Sequence, residues 1–295
     1  MNEQSVPMKD EFWRGIIFCL LSAFAWALAG PTAKLCYAEG ISPATVTFWR
    51  LFVAAVCFLI HAAVRRELAI AKRDIGYLIL FGILNVSLVL LCFQVSIEKS
   101  GASLAVILIF TASLWVALFS HFIFHEALSR HKIACLLVAL IGTVLVCASG
   151  GSLGTGEVSV IGLACGLLSG IGYACQFIFV TWWKDKYSTA TLFAVTFPAA
   201  SFVLAFFADF TPVSLIVWAE LLLPSLVCTY LAYYWYGQAL RCLSPVQAAI
   251  IGNTEPLIAV LLSWWLWNEN FTAIGWGGCA LIMGSVLFLA LKRQN

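Results

Sequence analysis

Charge is what this sequence has least of. Asp, Glu, Lys and Arg make up 10% of the 295 residues, hydrophobic residues make up 63%, and the mean hydropathy is +1.00. A soluble domain carries about a quarter of its residues charged. This chain lacks the means to cover a water-facing surface and reads as an integral membrane protein. The scarcity also excludes chemistry. No aspartate lies in the core of an apolar run; Asp10, Asp74, Asp185 and Asp209 sit at or beyond the ends. With no paired aspartates, no HExxH and no GxSxG, an intramembrane hydrolase has no catalytic set. With no Walker A motif, the chain does not pump with ATP on its own. CxxC pairs are absent as well. The eleven cysteines lie almost wholly inside apolar runs, as Cys19, Cys57, Cys92, Cys147 and Cys228 do, and read as small apolar filler. No catalytic, metal or cofactor site is expected. A net charge of +2 without a basic patch gives no nucleic-acid partner.

What is present is a series of long apolar runs with short polar gaps, the pattern of helices and not of a barrel. Spans are predicted at 14–34, 44–64, 75–96, 102–124, 131–149, 159–181, 189–208, 214–238, 244–267 and 272–291, each near the ~20 residues that cross a bilayer core. The first run lacks a small-residue cleavage site and reads as a retained helix. Lys and Arg set the orientation. With the N-terminus inside, Lys9, Arg14, Arg65, Arg66, Lys72, Arg73, Arg130, Lys132, Lys184, Lys186, Arg241, Lys292 and Arg293 are all cytoplasmic. Only Lys34 and Lys99 fall outside, and Arg50 lies within a span. Residues 1–13 and 292–295 are then cytoplasmic. The outer loops, such as "YAEGIS", "GGSLGTGE" and "WNEN", leave no room for an extracellular domain.

The two halves repeat. "ASLAVILIFTASLWVALFSHFIFHE" lies on "PVQAAIIGNTEPLIAVLLSWWLWNE" without gaps, so Thr111, Ser120 and Glu126 meet Thr254, Ser263 and Glu269. "GIIFCLLSAFAWA" lies on "GLACGLLSGIGYA", so Ser22 and Trp26 meet Ser169 and Tyr173. The units are 14–149 and 159–291, five spans each. An odd number of spans inverts the second copy, which gives the architecture of alternating-access carriers with a site between halves near the midplane.

The segment "ALRCLSPVQAAIIGNTEPLIAVLLSWWLWNE" resembles the second repeat of the EamA family of the drug/metabolite transporter superfamily: a span opening after a small-Pro loop, a central Glu-Pro and a closing Glu. "HEALSRHKIACLLVALIGTVLV" resembles the end of the first repeat. The resemblance covers about residues 14–291. It implies a ten-helix inner-membrane carrier for small metabolites, commonly an exporter of amino acids or related compounds; relatives move nucleotide sugars, sugar phosphates or purine-type metabolites. An exchanger or uptake carrier for nucleotide-type or S-adenosylmethionine-like metabolites is the alternative within this class, and a channel or non-transporting scaffold the alternative outside it. The family often has Pro after Thr in the fourth span. Here Ser113 stands in "FTASLW", which predicts a less broken fourth helix.

Intramembrane polar groups are the candidates for the site. Ala248, Gly252, Glu255, Ala259 and Ser263 share one face of the ninth span. Pro256 cannot donate to the Gly252 carbonyl, and irregular backbone at membrane depth is tolerated only against protein or a wet cavity. Glu255 reads as facing substrate or exchanging a proton, against a kinked helix with a paired acid. Arg50 shares a face with Thr47, Ala54, Cys57 and His61. It is read three ways: reaching outward to the interface, pairing with Glu255, or holding an anionic substrate group. Trp26, Tyr173, Trp115, Tyr230 and Tyr234 either wall a cavity or simply pack. Asn85, Gln176 and Asn253 complete the candidate substrate-binding set. Gly162, Gly166 and Gly170 form a stacked GxxxG, read as close helix packing between halves. Glu126 and Glu269 read as interface caps or pairs, and His121 and His125 as interfacial. The partners implied are a small metabolite, the lipid bilayer and protons as a coupling ion.

The charge bias predicts that reporters fused after Arg73 and after Asn295 both report the cytoplasm. A periplasmic signal from either overturns the ten-span reading.

Overall fold

A computed structural model describes residues 9–29, 32, 36, 39–149, 159–210, 215–267 and 272–292. The described residues are helical with connecting turns. The helical segments are α1 (Lys9–Ala27), α2 (Pro43–Val64), α3 (Lys72–Ser100), α4 (Ala102–Phe124), α5 (Arg130–Ser149), α6 (Val160–Trp183), α7 (Thr189–Leu204), α8 (Val217–Cys242), α9 (Pro245–Gly252 and Thr254–Trp267) and α10 (Ala273–Lys292). Among the described residues, 8 stretches are long and apolar enough to cross a bilayer, so the chain is a multi-span membrane protein. The remaining two are α1, whose first turns carry Lys9, Asp10, Glu11 and Arg14, and α7, which is shorter. The helices overrun several predicted boundaries: α1 begins at Lys9, α3 runs from Lys72 to Ser100, and α8 runs on to Cys242. A helix does not stop where the hydrocarbon stops. Lys72, Arg73, Asp74, Glu98 and Lys99 simply form the polar first and last turns of α3. Gly101, at φ +85, then lets the chain turn directly from α3 into α4, a backbone conformation only glycine adopts freely.

In a bilayer every backbone group must find a partner inside the protein. Among the described residues, besides the prolines within α7 and α8, the regular ladder is interrupted in α3, α4, α8 and α9. α4 breaks at Thr111, between Ala102–Phe110 and Ala112–Phe124. This corrects the expectation that, lacking proline, the fourth span is less broken. Hydroxyls bond back at the break: Thr111 Oγ1 donates to the Leu108 carbonyl at 2.6 Å and Ser113 Oγ to the Phe110 carbonyl at 3.0 Å. α9 breaks at Asn253, and there Thr254 Oγ1 donates to the Ile251 carbonyl at 2.8 Å. Pro256 adds its missing N–H. The other two departures are wide turns, Gly82–Val86 in α3 and Leu226–Leu231 in α8, where an extra residue is accommodated. In α8, Thr229 Oγ1 closes the turn by donating to the Pro224 carbonyl at 3.2 Å.

The main packing pairs are α5 with α10, α2 with α7, α3 with α6, and α1 with α8. α2 and α7 are tied reciprocally. Ser42 caps α2 by accepting from the Thr45 N–H, and Thr45 Oγ1 accepts from the Asp209 N–H at 2.8 Å, beyond the far end of α7. Ser188 caps α7 by accepting from the Thr191 N–H, and Thr191 Oγ1 donates to the Glu67 carbonyl at 2.8 Å, beyond the far end of α2. α6 meets α3 and the α4 break through its glycines. A Cβ on Gly170 would stand 2.7 Å from the Leu108 carbonyl oxygen and 2.7 Å from Thr111 Oγ1.

One end of the bundle gathers the basic turns. Asp74 accepts from Lys186 and from the Tyr187 hydroxyl (2.5 Å), and Arg241 donates to the Tyr187 carbonyl at 2.9 Å. Lys184 donates to the Leu240 carbonyl at 2.6 Å, and its burial pulls the ammonium below the usual lysine range. Glu126, 7% exposed, accepts at one oxygen from Lys132 Nζ (2.8 Å) and from Ser244 Oγ (2.6 Å), joining the end of α4 to the starts of α5 and α9. Glu126 is thus a paired acid. Its expected counterpart Glu269 lies outside the described residues.

Gly170→Ala forces a methyl against a backbone oxygen at the α4 break. It should lower stability by about 1–3 kcal/mol, read as a drop in thermal unfolding temperature in detergent. Gly277→Ala, with nothing within 4 Å, should not. Equal behaviour of the two variants would show that the α6–α4 approach is slack.

Candidate functional site

Both helix breaks face the same space. A cavity of about 10 Å³, the room one water needs, is lined by Phe110, Ala112 and Ser113 at the α4 break and by Ala249, Gly252 and Asn253 at the α9 break. Tyr173 and Phe177 of α6 close it. Asn253 is 2% exposed, and its Nδ2 has no hydrogen-bond partner among the described residues. Leaving such a donor buried without a partner costs about 1–3 kcal/mol, so the fold retains it at a loss.

Above the cavity stands an aromatic cage. The Trp26 ring packs edge-on against Tyr173 (centroids 6.1 Å) and Tyr233 (5.2 Å) and tilted against Tyr236 (5.5 Å). Phe177 meets both Tyr173 (5.4 Å) and Tyr236 (5.0 Å). The Tyr236 hydroxyl is buried without a partner among the described residues. The repeat mates Trp26 and Tyr173 are therefore brought together. Tyr230 and Tyr234 are not: they turn to α2, where Tyr230 shares a 2.9 Å hydrogen bond with His61 Nδ1 and Tyr234 packs on the His61 ring. The cage uses Tyr233 and Tyr236 in their place. Sequence reasoning took Tyr230 and Tyr234, one helical turn apart, and did not single out Tyr233 and Tyr236.

The two deep charges occupy the same region. Glu255 begins the second half of α9 and is half-buried. Its carboxylate makes no hydrogen bond or ion pair among the described residues, yet it lies within electrostatic reach of Arg50 and of the Tyr173 and Tyr233 hydroxyls. Arg50 does not reach outward. It crosses to the wide turn of α8, donating from Nε to Thr229 Oγ1 (3.2 Å) and from Nη2 to the Cys228 carbonyl (3.4 Å). Thr229 is thus a partner that the sequence did not single out, and Pro224, five residues before it, was the available signal. Among the remaining candidates, Asn85 sits in the α3 wide turn and donates to the Gly172 carbonyl at 3.0 Å, while its Oδ1 stays buried and unpartnered among the described residues. Gln176 is buried on α6. Trp115 is half-buried beside Phe119, one turn past the α4 break and outside the cage. Among the described residues no cluster of His, Cys, Asp and Glu could hold a metal.

The arrangement offers aromatic walls and an idle amide donor at the cavity, with a fixed cation on α2 and an acid on α9 that has no partner among the described residues. Asn253→Leu keeps the bulk and removes the idle donor. Thermal stability should stay level or rise, while transport falls more than about tenfold, the weight of one lost hydrogen bond to a buried partner. A stability loss with unaltered transport would mark Asn253 as structural.

Comparison with known proteins places this geometry. The chain aligns with YdfC of Bacillus subtilis (strain 168), an uncharacterized transporter, at 22% identity over 90% of this chain and 88% of that one. It aligns with YicL of Salmonella typhimurium, an uncharacterized inner membrane transporter, at 25% identity over 96% of this chain and 97% of that one. A protein solved by crystallography shares the fold with a TM-score of 0.82, at 15% identity over 95% of this chain and 99% of that one. The sequence profile of the EamA-like transporter family matches twice, over residues 13–148 and again over 160–291, and the chain belongs to that family.

Proposed function

We propose that the chain is a secondary carrier that exports a small zwitterionic metabolite, an amino acid or related compound, across the inner membrane by alternating access coupled to protons. The observation that carries this reading is the pair of opposite deep charges. Arg50 is fixed by α8, and Glu255 has no partner among the described residues, within reach of it. A group with a carboxylate and an amine satisfies both. The carboxylate goes to Arg50 and the Asn253 amide; the amine goes to Glu255 and the ring faces of Trp26, Tyr173 and Tyr233. Intramembrane ionisable groups facing a cavity are the usual markers of substrate and proton pathways. Export is the direction that the family resemblance implies.

Several observations support two inverted five-span units. The family profile matches each half. The repeat mates Thr111 and Thr254 each bond back to a carbonyl three residues earlier at a helix break. Wide turns fall in both α3 and α8, and the ties between α2 and α7 are reciprocal. α7 runs from the basic end at Glu67 to the opposite end at Asp209's partner Thr45, which supports counting it as a span despite its length. The gathering of basic turns at one end supports a cytoplasmic assignment for that end.

Purified protein in liposomes tests the reading by counterflow with a panel of amino acids, with and without a pH gradient. Glu255→Gln keeps the shape and removes the charge; it should fold, exchange poorly and lose gradient-driven accumulation. If it transports at the wild-type rate with unchanged pH dependence, Glu255 is a structural acid. Flux without counterflow points to a channel.

A further inference from the structure

On the outside of the bundle, away from the two breaks, α3, α4 and α6 enclose an open groove of about 530 Å³. Its floor is the stacked pair Phe81 and Phe179, with centroids 3.7 Å apart, and its walls include Tyr77, Phe119, Trp182 and Trp183. None of the lining side chains is charged. Tyr77 and Trp182 are 67% and 61% exposed, so the groove opens sideways, toward the hydrocarbon of the bilayer. At one end it meets the basic turns. Lys186 Nζ stands 5.4 Å from the Trp183 ring centroid, and Arg73, with an 82% exposed side chain, lies one helical turn before Tyr77. Asp74 draws Lys186 and Arg73 to the same place, tying the turn 72–74 to the turn 184–186. Lys186 and Tyr187 hold one oxygen of Asp74 and Arg73 Nε pairs with the other at 3.6 Å, while the 82% exposed side chain of Arg73 leaves its terminal guanidinium donors open to the surroundings.

An apolar slot with a cationic end has the shape and charge of one molecule available in that layer. We infer that the groove is a binding site for an anionic phospholipid: one acyl chain lies between Phe81, Phe119 and Trp182, and the phosphate is held by Arg73 and Lys186. Leaving the bilayer for an apolar groove gives an acyl chain little, because lipid tails are as apolar as the side chains that replace them. Preference therefore comes from the headgroup, through basic side chains at the interface. The site discriminates by charge and not by tail. Trp183 joins the two parts, since it lines the groove and carries the Lys186 ammonium over its face. The inference depends on the chain spanning the membrane and is independent of what it transports.

The test uses the full chain, purified and delipidated in neutral detergent, titrated with phosphatidylglycerol or phosphatidylcholine carrying the same brominated acyl chain. Bromine quenches nearby indoles, and the difference between wild type and Trp182→Phe isolates the groove among the 12 tryptophans. Phosphatidylglycerol should quench that component at roughly tenfold lower concentration than phosphatidylcholine, and the gap should narrow as salt rises. Arg73→Gln, at an exposed site, should weaken phosphatidylglycerol about fivefold and leave phosphatidylcholine unchanged. Equal quenching by both lipids, or an Arg73→Gln protein that still prefers phosphatidylglycerol as wild type does, overturns the assignment. So does a Trp182 signal that neither lipid reaches, whether because two copies of the chain cover the groove, as their mass in detergent would show, or because the groove is closed.

Discussion

The bilayer leaves no free backbone hydrogen bonds to spend, and the rest of this structure follows from how the chain meets that condition. Where α4 and α9 break, a threonine hydroxyl bonds a carbonyl of the preceding turn, and α3 and α8 take up wide turns. Threonine and serine do this without leaving a charge in the hydrocarbon. The breaks in α4 and α9 meet at a small cavity, and the wide turn of α8 supplies the two described partners of Arg50. Irregular backbone thus lies both at the cavity and at the deep cation.

Aromatic side chains do the remaining work of lining. Trp26, Tyr173, Phe177, Tyr233 and Tyr236 interlock through edge contacts at 5.0 to 6.1 Å, giving a stiff wall with a few hydroxyls on it.

Much of this was legible in the sequence. Hydropathy placed most helices to within about four residues, because apolar length is a direct demand of the membrane, and missed the first by more, its polar opening turns lying outside the apolar run. The internal repeat pointed to Trp26 and Tyr173, whose rings the structure brings to 6.1 Å of each other. Two things were not legible. The α4 break was sought as a proline and falls at Thr111, although Thr111 aligns with Thr254. A back-bonding hydroxyl looks the same in sequence whether the helix tightens around it or not. Tyr233 and Tyr236 were passed over for Tyr230 and Tyr234 because neighbouring tyrosines on one span do not reveal which of them face the bundle interior, and nothing in "LVCTYL" announces the wide turn beside them. Trp115 was drawn in by its central position alone. Glu269 lies outside the described residues.

The reciprocal ties of α2 and α7 have a mechanical consequence. Each helix is fastened at its own beginning to the chain just past the other's end, through Thr45 and Thr191. Two rods pinned together at both ends resist sliding along their length, since a shift by even one residue would break both pins at once. They remain free to twist about their common axis or to tilt as a unit. Any rearrangement that opens one end of the bundle and closes the other must therefore carry α2 and α7 as a single body, with Arg50 and His61 riding on it at fixed spacing.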